Sequence, residues 1–131
     1  MKRFALLCLL VVTACSAGGP ASSAEAPPAG KIWFGESFDR GTLALTGRMT
    51  SVKAGSPFVM LVNVGKSVTV ADLRARTIVN GKFRADQSIK SSTQGAIFSL
   101  EGQRIGTAGE WRYEMIDKAG NVLASGTITV T

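Results

Sequence analysis

From residue 31 onward the hydrophobic positions fall in short runs separated by Gly, Asn, Asp and Ser. Almost no window carries apolar residues at the i, i+3, i+4 spacing that an amphipathic helix needs over three turns. The runs are rich in Val, Ile, Thr, Phe and Trp, so the pattern predicts strands near Lys31–Phe38, Thr42–Val52, Phe58–Asn63, Leu73–Val79, Lys82–Asp86, Ala96–Leu100, Glu110–Ile116 and Val122–Val130. Ser67–Ala71 reads either as a short strand or as part of a crossing loop. Asn80-Gly81 lies between two runs and is the strongest hairpin signal, because both central positions of a type I′ turn need a positive φ. Asp117-Lys118-Ala119-Gly120-Asn121 predicts a second hairpin with a longer loop. Alternation is clearest at the end of the chain: Trp111, Tyr113 and Met115 share a face predicted to be core, and Arg112, Glu114 and Ile116 share one predicted to be wet. Strands this short, with turn signals every 8 to 12 residues or so, predict an all-β antiparallel sandwich of about seven to eight strands.

The first residues follow a different pattern. Lys2 and Arg3 form a positive start, Phe4–Thr13 an apolar core, and Ala14 a small residue before Cys15, which together predict an export signal over residues 1–14. Ten apolar residues are about half of the roughly 20 that a transmembrane helix needs. Val12-Thr13-Ala14-Cys15 resembles the lipobox of bacterial lipoproteins. That resemblance implies that Cys15 is the lipidated N-terminus of the mature protein, held to the membrane by several acyl chains, since one chain alone holds only reversibly. Ser16 rather than Asp after the cysteine favours the outer membrane if the envelope is Gram-negative. The other reading is cleavage after Ser22-Ser23-Ala24, which would release a soluble protein beginning at Glu25. Residues 15–30 hold Ser, Ala, Gly, Pro and one Glu after the cysteine, a composition too poor in apolar groups to order itself, and read as a tether. Residues 31–131 are then one domain, long enough for its own core without disulfides.

Composition narrows the chemistry. The two cysteines, Cys8 and Cys15, fall in the signal and at the anchor, and the chain has no His. The commonest metal ligand, general base and nucleophile partner are therefore missing, and neither a metal nor a cofactor is expected. Nine carboxylates are scattered, with only Glu110, Glu114 and Asp117 loosely grouped, and no spacing marks a hydrolytic pair. Met49, Met60 and Met115 lack His or Cys companions and read as core filling. Formal charge is +6, and without Lys2 and Arg3 thirteen basic residues face nine acidic ones, a mild excess that suits solubility or an anionic surface. Nucleic acid does not fit an exported chain without a basic stripe interleaved with aromatics.

Gly109-Glu110-Trp111-Arg112-Tyr113-Glu114-Met115, followed by Asp117, Gly120, Val122-Leu123-Ala124 and Thr127-Ile128-Thr129-Val130, resembles the last hairpin of bacterial immunoglobulin-like and fibronectin-III-like modules. The resemblance implies an immunoglobulin-like sandwich. Trp111 stands where that family usually carries Tyr, and an indole can donate a corner hydrogen bond but not accept one. Trp33 and Phe34, being adjacent, must face opposite ways; Trp33 reads as a plug at the sandwich end, or as a sugar-stacking platform, and Phe34 as cover for an edge.

Basic residues gather around the Asn80-Gly81 hairpin. A two-residue loop pairs Val79 with Lys82, Ile78 with Phe83, Thr77 with Arg84 and Arg76 with Ala85, which sets cations on both faces and predicts an exposed edge or a projection. Either these cations keep the sheet edge from associating with other sheets, or Arg74, Arg76, Lys82, Arg84 and Lys90 form a docking patch for an acidic envelope polymer, lipid headgroups or an acidic protein. The function expected from the sequence is thus non-enzymatic: a lipid-anchored, monomeric domain that binds or scaffolds another envelope component. Its rivals are a small carboxylate-dependent cell-wall hydrolase and an accessory subunit that pairs through an edge strand.

Overall fold

A computed structural model describes residues 26–131; the predicted export signal, the predicted lipidation site Cys15 and the alternative cleavage site at Ser22-Ser23-Ala24 lie outside the described residues. Ten strands form: β1 (Lys31–Gly35), β2 (Ser37–Asp39), β3 (Ala44–Thr46), β4 (Ser51–Val52), β5 (Pro57–Thr69), β6 (Arg74–Val79), β7 (Lys82–Ser88), β8 (Gln94–Arg104), β9 (Gly109–Ile116) and β10 (Val122–Val130). Seven of them hydrogen-bond in the order β7-β6-β9-β10-β1-β5-β8, with β4 alongside β10 and β2-β3 as a separate pair. Neighbours are antiparallel except at β10, which takes both β1 and β4 in parallel.

The path bends where β1 meets β10, so that β7-β6-β9-β10 and β1-β5-β8 face each other across one core. Phe34 of β1 packs edge-on against Phe58 of β5 at 6.0 Å and also lies 6.0 Å from Tyr113 of β9. Ile32, Met60, Val62, Phe98, Met115 and Ile128 fill the space around them. Gly126 lets the halves join, because a Cβ there would run into the Ile32 carbonyl. Phe34 is thus central rather than an edge cover. Its exchange with Trp33 follows from parity: β1 turns Ile32 and Phe34 inward and Trp33 outward.

A second, smaller core lies on the outer face of β1-β5-β8. Val59 and Leu61 point there, and the β2-β3 hairpin lays Leu45 over them, with Trp33, Phe38 and Ile97 at the margin. β5 is therefore covered on both faces, and its sequence reads as a continuous apolar run rather than an alternation. Two predicted strands break to build this third layer. Lys31–Phe38 is interrupted after Gly35, where a Cβ would meet the Leu45 side chain at 2.6 Å. Thr42–Val52 is interrupted at Gly47, whose φ of +66 turns the chain. Phe58–Asn63 is instead the start of a longer strand, continued to Thr69 past a register shift that contains Gly65, and Ser67–Ala71 divides between that strand and a 3-10 turn, Val70–Asp72. The end of the predicted tether also belongs to the fold: Pro27 is buried and its carbonyl accepts from Asn63 Nδ2 at 2.9 Å, while Gly30 N donates to Asn63 O at 2.8 Å.

Candidate functional site

The β6-β7 hairpin turns at Asn80 and Gly81, both at positive φ (+51 and +82), as a type I′ turn requires. Asn80 also bridges to the next strand, accepting from Glu110 N at 2.9 Å through its side chain. Pairing begins as expected with Val79 opposite Lys82 and Ile78 opposite Phe83, and then shifts: Thr77 faces Ala85 and Arg76 faces Asp86. The expected partners of Thr77 and Arg76, Arg84 and Ala85, are displaced by a bulge in which Arg84 is the extra residue. β7 is the edge of the sheet, but β6 lies inside it, paired with β9. The ribbon is thus neither wholly an edge nor a projection.

This one-residue shift sorts the cations. On the outer face Asp86 receives Arg74 Nη2 at 2.6 Å and Arg76 Nε at 3.2 Å. Arg76 lies 3.7 Å from Glu114, which also accepts from Arg112 Nε at 3.0 Å. Partial burial raises the Asp86 carboxyl, but the hydrogen bonds and charges of Arg74 and Arg76 outweigh it and hold the group below its ordinary value. Three guanidinium groups and two carboxylates so form a ladder with most of its charge answered internally. The face predicted to be wet is only partly so: Arg112 is exposed, whereas Glu114 is 9% exposed and Ile116 2%. Glu114 tolerates this burial because two arginines meet it.

Arg84 lies elsewhere. Its guanidinium sits 5.1 Å above the Trp111 ring, beside a seam left between β7 and β8, the two ends of the strand path. Two adjoining cavities of about 220 and 210 Å3 occupy this seam. Thr77, Gln87, Gln103 and Tyr113 line both; Arg84, Arg104 and Trp111 line one, and Ser88 and Lys90 the other. Neither cavity has a carboxylate in its wall. Among the described residues Arg84, Arg104 and Lys90 form no ion pair, and Arg104 is steadied by donating to Gly55 O at 2.9 Å.

The seam floor is aromatic. Trp111 and Tyr113 stack with centroids 6.5 Å apart, and the indole N–H donates to Thr107 O, four residues back, at 3.0 Å. Tyr113 is 8% exposed, yet its hydroxyl has no hydrogen-bond partner among the described residues. Burial pushes its pKa up to about 12, against the opposing pull of Arg84.

Of the five patch residues expected from the sequence, Arg84 and Lys90 come to the seam, Arg74 and Arg76 are bound into the ladder, and Lys82 is exposed beside the turn. Arg104, Gln87, Gln103, Thr77 and Tyr113 were not marked by sequence reasoning. The alternation that puts Tyr113 beside Trp111 was the available signal. Trp33 is half-buried and covered by the Arg48 guanidinium, 3.6 Å above its ring. Another cavity, of about 300 Å3, is lined by Glu36 and Glu101, but Glu101 is engaged by Arg40 at 3.2 Å. Among the described residues no group of three or more acidic, Cys or His side chains could hold a metal. No helix there is long and apolar enough to cross a membrane. No family model and no curated protein matches the chain.

Proposed function

We propose that the chain is a lipid-anchored binding module of a bacterial envelope, fixed through Cys15, and that its immunoglobulin-like domain takes an anionic envelope component in the β7-β8 seam without transforming it. The observation that carries this reading is the set of cations at the seam, Arg84, Arg104 and Lys90, with no carboxylate beside them. Concave sites with convergent polar groups are the usual place for a ligand. The strand order supports the immunoglobulin-like assignment: β1, β5 and β8 stand as strands A, B and E of such modules, and β7, β6, β9 and β10 as C′, C, F and G. The lipobox resemblance supports the anchor.

Two experiments test the two halves. Intact mass of protein purified from its cells should show a diacylated or triacylated Cys15 as N-terminus; an unlipidated start at Glu25 contradicts the anchor. Protein purified in detergent should sediment with delipidated envelope fragments, and more so at low salt, because the screening length shrinks from about 30 Å at 0.01 M to about 8 Å at 0.15 M. Cleavage of the fragments, lost in Glu101→Gln, would favour the hydrolase instead.

A further inference from the structure

The seam holds more than charge. Beside its three cations stand Gln87, Gln103 and Ser88, neutral side chains that can both donate and accept, and Thr77, whose hydroxyl donates to Ala85 O and can still accept. A peptide added to a sheet edge would be held chiefly through backbone groups. Amide and hydroxyl side chains interleaved with guanidinium groups instead match a ligand in which ring hydroxyls alternate with acidic groups. Tyr113 is the independent sign: the residue is 8% exposed, lines both cavities, and its hydroxyl has no hydrogen-bond partner among the described residues.

We infer that the seam binds an acidic polysaccharide of the uronate type, with Arg84, Arg104 and the Tyr113 hydroxyl around one sugar carboxylate and Gln87 and Gln103 on the ring hydroxyls. This rests on the seam being the binding groove. A guanidinium presents paired donors that fit a carboxylate, and a phenol adds a short charge-assisted bond. Because its pKa is pushed up to about 12, Tyr113 stays protonated and able to donate throughout the neutral range. The seam runs between the two end strands of the sheet path, so a linear polymer can lie in it without presenting an end.

The test is calorimetric titration of the detergent-purified protein with oligogalacturonate, its methyl ester, polyglutamate and tripolyphosphate as probes. Oligogalacturonate should bind best, and the methyl ester at least about tenfold more weakly, since one charged hydrogen bond is worth about that factor or more. Tyr113→Phe should weaken oligogalacturonate about tenfold while leaving the melting temperature unchanged or higher. Gln87→Ala with Gln103→Ala should weaken the sugar but not polyglutamate. Equal binding of all three polyanions, or an unchanged affinity in Tyr113→Phe, overturns the sugar assignment and leaves an unspecific anion groove. Absence of binding by every probe, or binding that survives Arg84→Glu with Arg104→Glu, overturns the groove itself.

Discussion

Two regions of the same hairpin use arginine in opposite ways. On the outer face Arg74 and Arg76 meet Asp86 and Glu114, and their charge is answered within the fold. At the seam, a bulge away, Arg84 stands over Trp111 with Arg104 and Lys90 in the neighbouring walls and no carboxylate among them. Cations close in sequence are thereby separated into a group that holds strands together and a group that forms no ion pair among the described residues. A basic cluster read along the chain cannot reveal this division; the register does.

The largest effect should come from the residue beneath the seam. Trp111→Ala removes a core indole, its bond to Thr107 and the surface under Arg84, and should cost about 3–5 kcal/mol in a denaturant titration, with binding lost as well. Next comes the ladder. Glu114→Ala leaves Arg76 and Arg112 without their shared acceptor and should cost about 1–3 kcal/mol, whereas Arg112→Ala, at the exposed end of the same contact, should cost about 0.2–1 kcal/mol. Equal losses would mean that Glu114 is not the centre of the contact.

Acid should act on the ladder before the seam. Asp86 is held below its ordinary 3.8 by Arg74 and Arg76, overcoming the rise from burial, and Asp117 is held below it first by the Asn121 backbone N–H, then by the Asn121 side chain and Ala119 N. A depressed carboxyl stabilises the fold fully above its unfolded pKa and loses that contribution as pH falls through the lower folded value. Stability should therefore be flat with respect to these groups near neutrality and decline below about pH 4. Asp86→Asn should lower the neutral plateau and flatten part of that acid decline. The smallest effects belong to the seam cations: Lys90→Ala should change stability by less than about 0.5 kcal/mol, and Arg84→Ala by about 0.5–1 kcal/mol through its contact with Trp111.

Much of the sheet was readable along the chain, because its signals are local. Asn80-Gly81 needs only its own backbone to turn, and Asp117 closes its loop by accepting from Ala119 and Asn121 within a few residues. The inward set Trp111, Tyr113 and Met115 follows from a period of two. What escaped depends on distant partners. The bulge at Arg84 brings Asp86 into line with Arg76, and the β2-β3 layer answers to Val59 and Leu61 on another strand. The seam is assembled from β6, β7, β8 and β9, so Gln103 and Arg104 carry no mark that would join them to Arg84.

The division between the two arginine groups can be tested in a single paired measurement. Arg84→Glu with Arg104→Glu and Arg74→Glu with Arg76→Glu change charge equally, so binding of an anionic envelope polymer and unfolding free energy, measured on both at 0.05 M salt, separate site from net charge. The account predicts that the seam pair loses binding and keeps nearly all its stability, while the ladder pair loses stability, with carboxylates facing Asp86 and Glu114, and still binds when folded. Equal loss of binding in both pairs, or binding retained only in the seam pair, would contradict it.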